Sequence, residues 1–392
     1  MRCAVAAALA MLSGCLDPEP VVLTLGPASC MPDAPAVVAF EPIPVGGHES
    51  RELVIIGCAF DHELLDASIT AGPFRVDPEF TPPRTLALGE VLRVPITFDA
   101  TTSGTAQGEL VLRFRRGQLA VPLTGAARDC APTSVITGGD GAIGAFEPVE
   151  VDGHESLGAC GTSLTGWRWE ITPPFGPTVV TRSPVASFEP DLVGPWDVRL
   201  EVVDRLGRTD TSEATIEVGP VRRYHVELTW APPLFAQGGE SDLDLHVLHP
   251  FAVGEDIDHD GTADGWFDLP FDVHWNNAAP AWGFAGGDDD GRLDRDDREG
   301  PGPEVVSLED CGGVDRYRVG VHFFDDHGSG ARVARVRVFF ERGLVADRSA
   351  TLAVGDLWEV GTILCDGTFE SASGPSGERV WANVEVVAPG TR

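Results

Sequence analysis

The sequence predicts an all-β fold in which tandem β-sandwiches precede a larger β-sandwich with long acidic loops. Apolar residues recur at every second position, the period of an extended chain whose alternate side chains point to opposite faces. The runs are Leu92, Val94, Ile96 and Phe98; Leu110, Leu112 and Phe114; Leu119, Val121 and Leu123; Val198, Leu200 and Val202; and Tyr224, Val226, Leu228 and Trp230. Gly and Pro, 46 and 31 of the 392 residues, separate these runs at the short intervals of antiparallel sheets. No run has the period and length of a normal helix. The eleven residues "FEPIPVGGHES" at 40–50 return as "FEPVEVDGHES" at 146–156 with eight identities, which indicates two successive modules of related build.

Composition narrows the partners. A chain with 43% hydrophobic and 23% charged residues is ordinary for soluble globular protein. Its net charge of -33 argues against nucleic acid and against polybasic attachment to anionic lipid, and it favours divalent cations. All 28 basic residues are Arg. Without a lysine there is neither a phosphate-cradling Gly-Lys loop nor a Schiff base.

The chain starts "MRCAVAAALAMLSGC": one Arg, then an apolar run from Cys3 to Leu12 that is long enough for a secretion signal and too short to span a bilayer. The tetrad Leu12-Ser13-Gly14-Cys15 resembles the bacterial lipobox. That resemblance implies cleavage after residue 14 and a lipid on Cys15, which would anchor the protein to a membrane of the cell envelope. Leu16 in place of Asp after the lipidated cysteine points to the outer membrane. Residues 15–34, opening with the acidic, Pro-rich "DPEP", read as a tether.

The modules follow in order. Residues 35–128 resemble the immunoglobulin-like domain of the ASPM/SPD-2/hydin type, on "FEPIPVGGHESRELVIIG" and the closing "GQLAVPLTGAA". Residues 129–220 resemble a PKD domain, another immunoglobulin-like sandwich, with Trp169 as its core tryptophan and Asp204 to Gly207 as its closing turn. Both resemblances imply spacers. Residues 221–392 form the larger sandwich, with strands expected at Tyr317–Phe323, Ala334–Phe340 and Trp358–Leu364. In an oxidising compartment the remaining cysteines pair. Each copy of the repeat has one cysteine before it and one after it, so Cys30 is paired with Cys58, Cys130 with Cys160, and by exclusion Cys311 with Cys365.

The chemistry lies in the third segment, where residues 240–299 hold 17 acidic side chains against Arg292, Arg295 and Arg298. The run "DIDHDGTADGWFD" supplies Asp256, Asp258, Asp260 and Asp264 around Gly261. Alternate aspartates around a tight glycine turn deliver the hard oxygens calcium requires. The loop resembles those of dockerin and thrombospondin type 3 repeats, but Phe267 stands where an EF-hand has its closing Glu. The strand "SDLDLHVLHP" places Asp242, Asp244 and His246 on one face. Further on stand Asp288, Asp290, Asp294, Asp296 and Glu304. The strand, the Leu293-Asp294-x-Asp296 run and the turn Gly300-x-Gly302-Pro303-Glu304 together resemble uncharacterised bacterial secreted domains of the D-[LV]-D-L-H type, which implies fold and site location but no activity. The expected metal ligands are therefore Asp242, Asp244, Asp256, Asp258, Asp260, Asp264, Asp288, Asp290, Asp294, Asp296 and Glu304, with calcium as the ion. The opening strand is expected to edge the calcium-bearing loops, with Asp242 and Asp244 turned toward the second acidic run.

His246, His274 and His322 also fall on strands and could hold zinc, but nothing in the sequence brings them together, and a histidine satisfied by backbone or carboxylate is commoner. No nucleophile elbow, His-Glu-x-x-His helix or catalytic cysteine is present. The expected function is that of a non-enzymatic envelope lipoprotein that presents a calcium-stabilised sandwich to a glycan or protein. The alternative is a metal-dependent hydrolase using Asp242, Asp244 and His246 as ligands, with Glu304 or Asp294 as base.

Overall fold

The computed structural model describes the backbone of residues 21–24 and, in full, residues 37–57, 61–87, 89–233, 239–282, 287–374 and 377–384. The signal at 1–14, Cys15 and the Cys30–Cys58 bridge lie outside the described residues. The described residues are all-β, with one 3-10 turn at Ala159–Gly161. The segment read as a tether contains a strand, Val21–Thr24, whose β-branched run pairs in parallel with Leu53 to Ile56.

The chain divides into two compact units: Met1–Thr133 with Ser156–Thr165 and Val202–Asp210, and Ser134–Glu155 with Gly166–Glu201 and Thr211–Arg392. In the first unit, one sheet runs in the order Val21–Thr24, His48–Ile56, Val91–Asp99, Phe74–Val76. The other runs Val38–Ala39, Gly117–Arg128, Gly104–Phe114, His62–Ile69, Arg84–Leu86. Leu53, Ile55, Val94, Ile96, Leu110, Leu112, Val121 and Leu123 fill the space between them, as the alternation requires. The expected Cys130–Cys160 bridge is present in this unit.

The second unit carries most of the small sandwich of residues 137–219, where Trp169 is fully buried and its indole N–H donates to the Ser183 carbonyl at 2.9 Å. The repeated motif behaves differently in its two copies. His48 opens a strand, whereas the second copy ends one at Asp152. Asp152 replaces Gly46, and its carboxylate accepts the His154 backbone N–H at 2.7 Å and also pairs with the His154 ring, closing a turn. The shared "GHES" thus leads into a strand in the first copy and lies in a turn in the second.

The large sandwich has one sheet in the order Arg292–Arg295, Glu304–Leu308, Tyr224–Ala231, Arg332–Phe340, Gly343–Leu352. The facing sheet runs Asp272–Val273, Asp242–Leu248, Arg316–Asp325, Leu357–Leu364, Phe369–Ser371, and Arg379–Trp381 also pairs with Leu357–Leu364. Leu243, Leu245, Val247, Val319, Val321 and Phe323 of this second sheet pack against Val226, Leu228, Trp230, Val306, Val336 and Val338 of the first. The intervening residues Asp242, Asp244, His246, Gly320 and His322 face the other way.

That other face is not wet. Asp244, His246 and His322 are each 2% exposed or less, and the chain between residues 249 and 271 folds back over the two histidines. Trp266 lies on Gly320, where even a Cβ would come within 2.5 Å of the indole, so only glycine lets the loop close on the sheet here. Arg318 stacks on the same indole at 4.8 Å and donates to the Asp264 carbonyl. The opening strand pairs along its length with Arg316–Asp325 on one side, and on the other only Val247 and Leu248 are paired, with Val273 and Asp272.

Candidate metal centre

Because the Asp272–Val273 strand is so short, residues 242–246 have a strand partner on one side only. Glu304 fills the vacated side. It begins its strand after Gly302, whose φ of 87° allows the sharp turn, and its Oε2 accepts the Leu245 N–H at 2.5 Å. This brings Glu304 to Asp242 and Asp244, so that one carboxylate oxygen from each lies within 4.8 Å of the others.

The trio is poorly satisfied by protein. Asp242 Oδ1, Asp244 Oδ2 and Glu304 Oε1 are buried without a hydrogen-bond partner. His322 stands beside them with Nδ1 at 3.6 Å from Asp244 Oδ2, and neither of its ring nitrogens has a hydrogen-bond partner. Burial, reinforced by the Asp244 and Asp296 carboxylates, pushes Asp242 up to about 7. Burial and then Asp244 raise Glu304 well above the ordinary carboxyl range. Gathered carboxylates are relieved either by holding protons or by exchanging them for a cation.

Asp242 and Asp244 also floor a cavity of about 230 Å³ whose walls are Trp275, Phe324 and Arg298. Trp275 and Phe324 are 37% and 47% exposed, and their rings stand 6.4 Å apart. The site thus combines acceptor oxygens for a cation, two accessible aromatic faces and one guanidinium.

A second cluster lies on the same sheet face. His246 Nδ1 is 2.8 Å from Asp272 Oδ2, and the His246 and His274 rings stack at 4.9 Å with an interplanar angle of 14°. The His322 ring is 6.5 Å from that of His246, and Phe267 presents its edge to all three imidazoles. The expectation that nothing gathers the three histidines is therefore corrected. The sheet register sets Val247 opposite Val273 and Asp244 opposite His322, which places these rings side by side. Desolvation pulls His246 down to about 3 and His274 to about 4, and pushes Asp272 up to about 8.

The remaining expected ligands are dispersed. Asp256, half-buried, and the exposed Asp258 and Asp260 form a trio within 4.8 Å, folded around Gly261, whose N–H donates to Asp256 Oδ2 at 2.9 Å. Asp264 ties the loop's base, accepting the Ile257 N–H at 2.8 Å. Asp290 accepts the Trp282 N–H, and the Asp288 carbonyl accepts the N–H groups of Glu309 and Asp310. Asp294 accepts from the Ser307 hydroxyl and pairs with Arg292. Of the second acidic run, Asp296 comes close enough to Asp242 and Glu304 to influence both.

No protein-family profile matches the chain, and no curated protein does. Among solved structures, a tandem from titin is 8% identical, covering 82% of this chain and 97% of that one at a TM-score of 0.28. A structure describing carbohydrate-binding modules of the β-sandwich superfamily is 10% identical, covering 62% and 98% at 0.21. The secreted serine protease VesC from Vibrio cholerae is 12% identical, covering 45% of this chain at 0.20, and the present chain spans about half of it, 49%. Likenesses this distant identify no relative.

Sequence reasoning missed Asp272, Trp275, Phe324 and Arg298. Asp272 had a signal: "DVH" at 272–274 repeats the alternate Asp-x-His of "DLH" at 244–246. The other three had none.

Proposed function

We propose that residues 221–384 form a calcium-dependent glycan-binding module, presented without catalytic turnover by a lipoprotein of the cell envelope. The observation that carries this reading is the meeting of Asp242, Asp244 and Glu304, buried and unsatisfied, at the floor of a cavity with aromatic walls. Calcium accepts carboxylate oxygens in flexible geometry and keeps further positions for neutral oxygens. A sugar supplies such oxygens from vicinal hydroxyls, and its apolar ring face stacks on an indole or phenyl ring. Trp275 and Phe324 are placed for that stacking. The exposed Asp256–Asp258–Asp260 loop takes a second calcium ion with a stabilising role.

Two experiments test the reading. Titration calorimetry of chelator-treated protein should show calcium binding that Asp244→Asn weakens by at least about tenfold, because the amide keeps the shape and loses the charge. On a glycan array, binding should require calcium and be lost in Trp275→Ala with calcium affinity retained. Glycan binding indifferent to chelator would refute the calcium-dependent site, and cleavage of the bound glycan would favour the hydrolase.

The anchor is tested separately. Lipidation at Cys15 rests on the lipobox-like tetrad, so Cys15→Ser should move the protein from the membrane fraction to the soluble fraction. A variant still in the membrane fraction would overturn the lipid anchor and leave the binding module untouched.

A further inference from the structure

We propose that His246, Asp272 and His274 form a second cation site, of the transition-metal class and suited to zinc, which clips the loop of residues 249–271 to the sheet. It is distinct from the carboxylate centre and does not depend on glycan binding. His246 lies on the strand Asp242–Leu248, Asp272 opens the strand Asp272–Val273 and His274 directly follows it, and one ligand atom from each lies within 4.8 Å of the others. Two separations are close to what an ion needs. His246 Nδ1 lies 2.8 Å and His274 Nδ1 3.9 Å from the same oxygen, Asp272 Oδ2. Around tetrahedral zinc, with bonds of about 2.0–2.1 Å, neighbouring ligand atoms stand roughly 3.3 Å apart. The observed values straddle that spacing; on binding, His274 Nδ1 would give up its 3.2 Å contact with the Asp272 backbone carbonyl, and the two imidazoles would close around the ion.

The chemistry of the set selects the ion. Two imidazoles and one carboxylate suit a borderline-soft cation and give calcium too few oxygens. All three side chains are buried, and Asp272 Oδ1 has no hydrogen-bond partner, so the carboxylate has unused acceptor capacity where water is excluded. Asp272 Oδ2 is held in place by the Phe267 N–H at 2.7 Å, and Phe267 packs its edge on His246 at 4.8 Å. Such support fixes a ligand's orientation. On binding, the ion displaces the proton shared between His246 Nδ1 and Asp272 Oδ2, and that proton leaves to solvent. His246 belongs to the sheet, while Asp272 and His274 follow the loop, so one ion joins the loop's end to its beginning.

The test uses the full chain, stripped with chelator and titrated with zinc against a chromophoric competitor, and with cobalt followed by visible absorption. Wild-type protein should take up one zinc ion that calcium does not displace, and cobalt should give d–d bands shifted by imidazole ligation. His274→Gln, at the most accessible of the three positions, should weaken zinc roughly a hundredfold and leave calcium binding unchanged. Zinc should also slow proteolysis within residues 249–271. Absence of zinc binding in wild-type protein would reduce the cluster to a hydrogen-bonded His–Asp pair. Zinc binding retained in His274→Gln but lost in Asp244→Asn would place the ion in the carboxylate centre and equally overturn the proposal. Calcium binding measured on the same samples reports separately on the carboxylate centre.

Discussion

Metal-free protein should become less stable as pH rises from about 6.5 to about 8, and a bound divalent cation should remove that dependence. Asp272, held up to about 8 by burial, keeps a proton in the folded state that the unfolded chain has lost. A carboxyl raised in this way contributes stability that is complete below its unfolded value and lost as pH climbs to the folded one. Asp242, at about 7, and Glu304, raised by burial, act with the same sign. His246 and His274 act oppositely. With folded values of about 3 and 4, they contribute stability that is present above the ordinary imidazole range and lost as pH falls through it.

Below about 6.5 the two sets oppose each other, and above it only the carboxyls contribute. One proton costs about 1.4 kcal/mol per pH unit, so Asp272 alone accounts for about 2 kcal/mol over this window. For a domain of this size that is roughly 4–8 °C in melting temperature. Thermal melts of chelated protein in a pH series, with and without cation, measure it directly. A chelated protein whose melting temperature stays flat or rises between those two pH values would show that these carboxyls are not held protonated.

Replacing the Cys311–Cys365 bridge by serines should produce the largest single loss of stability in the second unit. The bridge spans 54 residues, for which the chain-entropy model gives about 4 kcal/mol. That is a large part of the total stability of an ordinary domain. Its surroundings add to the loss. The Tyr224 hydroxyl donates to the Cys365 carbonyl at 2.8 Å, the Tyr317 hydroxyl donates to the Cys311 carbonyl at 3.1 Å, and both rings sit in the core. The urea midpoint of the Cys311→Ser, Cys365→Ser protein should fall and the slope should rise, because the unfolded chain without the cross-link exposes more surface. The corresponding change at Cys130 and Cys160, a 30-residue span in the first unit, should cost slightly less, about 3.6 kcal/mol. Equal midpoints for the wild-type and serine proteins would mean that the core holds without the cross-link.

Alternation alone located the strands. The run read at Tyr317–Phe323 lies within Arg316–Asp325, Ala334–Phe340 within Arg332–Phe340, and Trp358–Leu364 within Leu357–Leu364. The same periodicity put Leu243, Leu245 and Val247 on one face and Asp242, Asp244 and His246 on the other, and the cysteine positions gave the two bridges that are seen. These features are local, or depend on a period that the pleated backbone imposes, so one sequence suffices to read them.

Whether the polar face of that strand meets water, an ion or protein was decided only by the tertiary structure. Period two tells which side chains share a face and says nothing about what covers it. The cover here is an aperiodic loop carrying Trp266 and Phe267, and it buries His246 and His322 beneath it. Sheet register then brought Asp272 and His274 to His246, and the open edge beside Leu245 drew in Glu304 from the opposite sheet. Bringing distant residues together in this way depends on strand pairing across long stretches of chain. Neither composition nor spacing encodes it, because the energy that fixes it comes from the apolar core on the other side of the sheet.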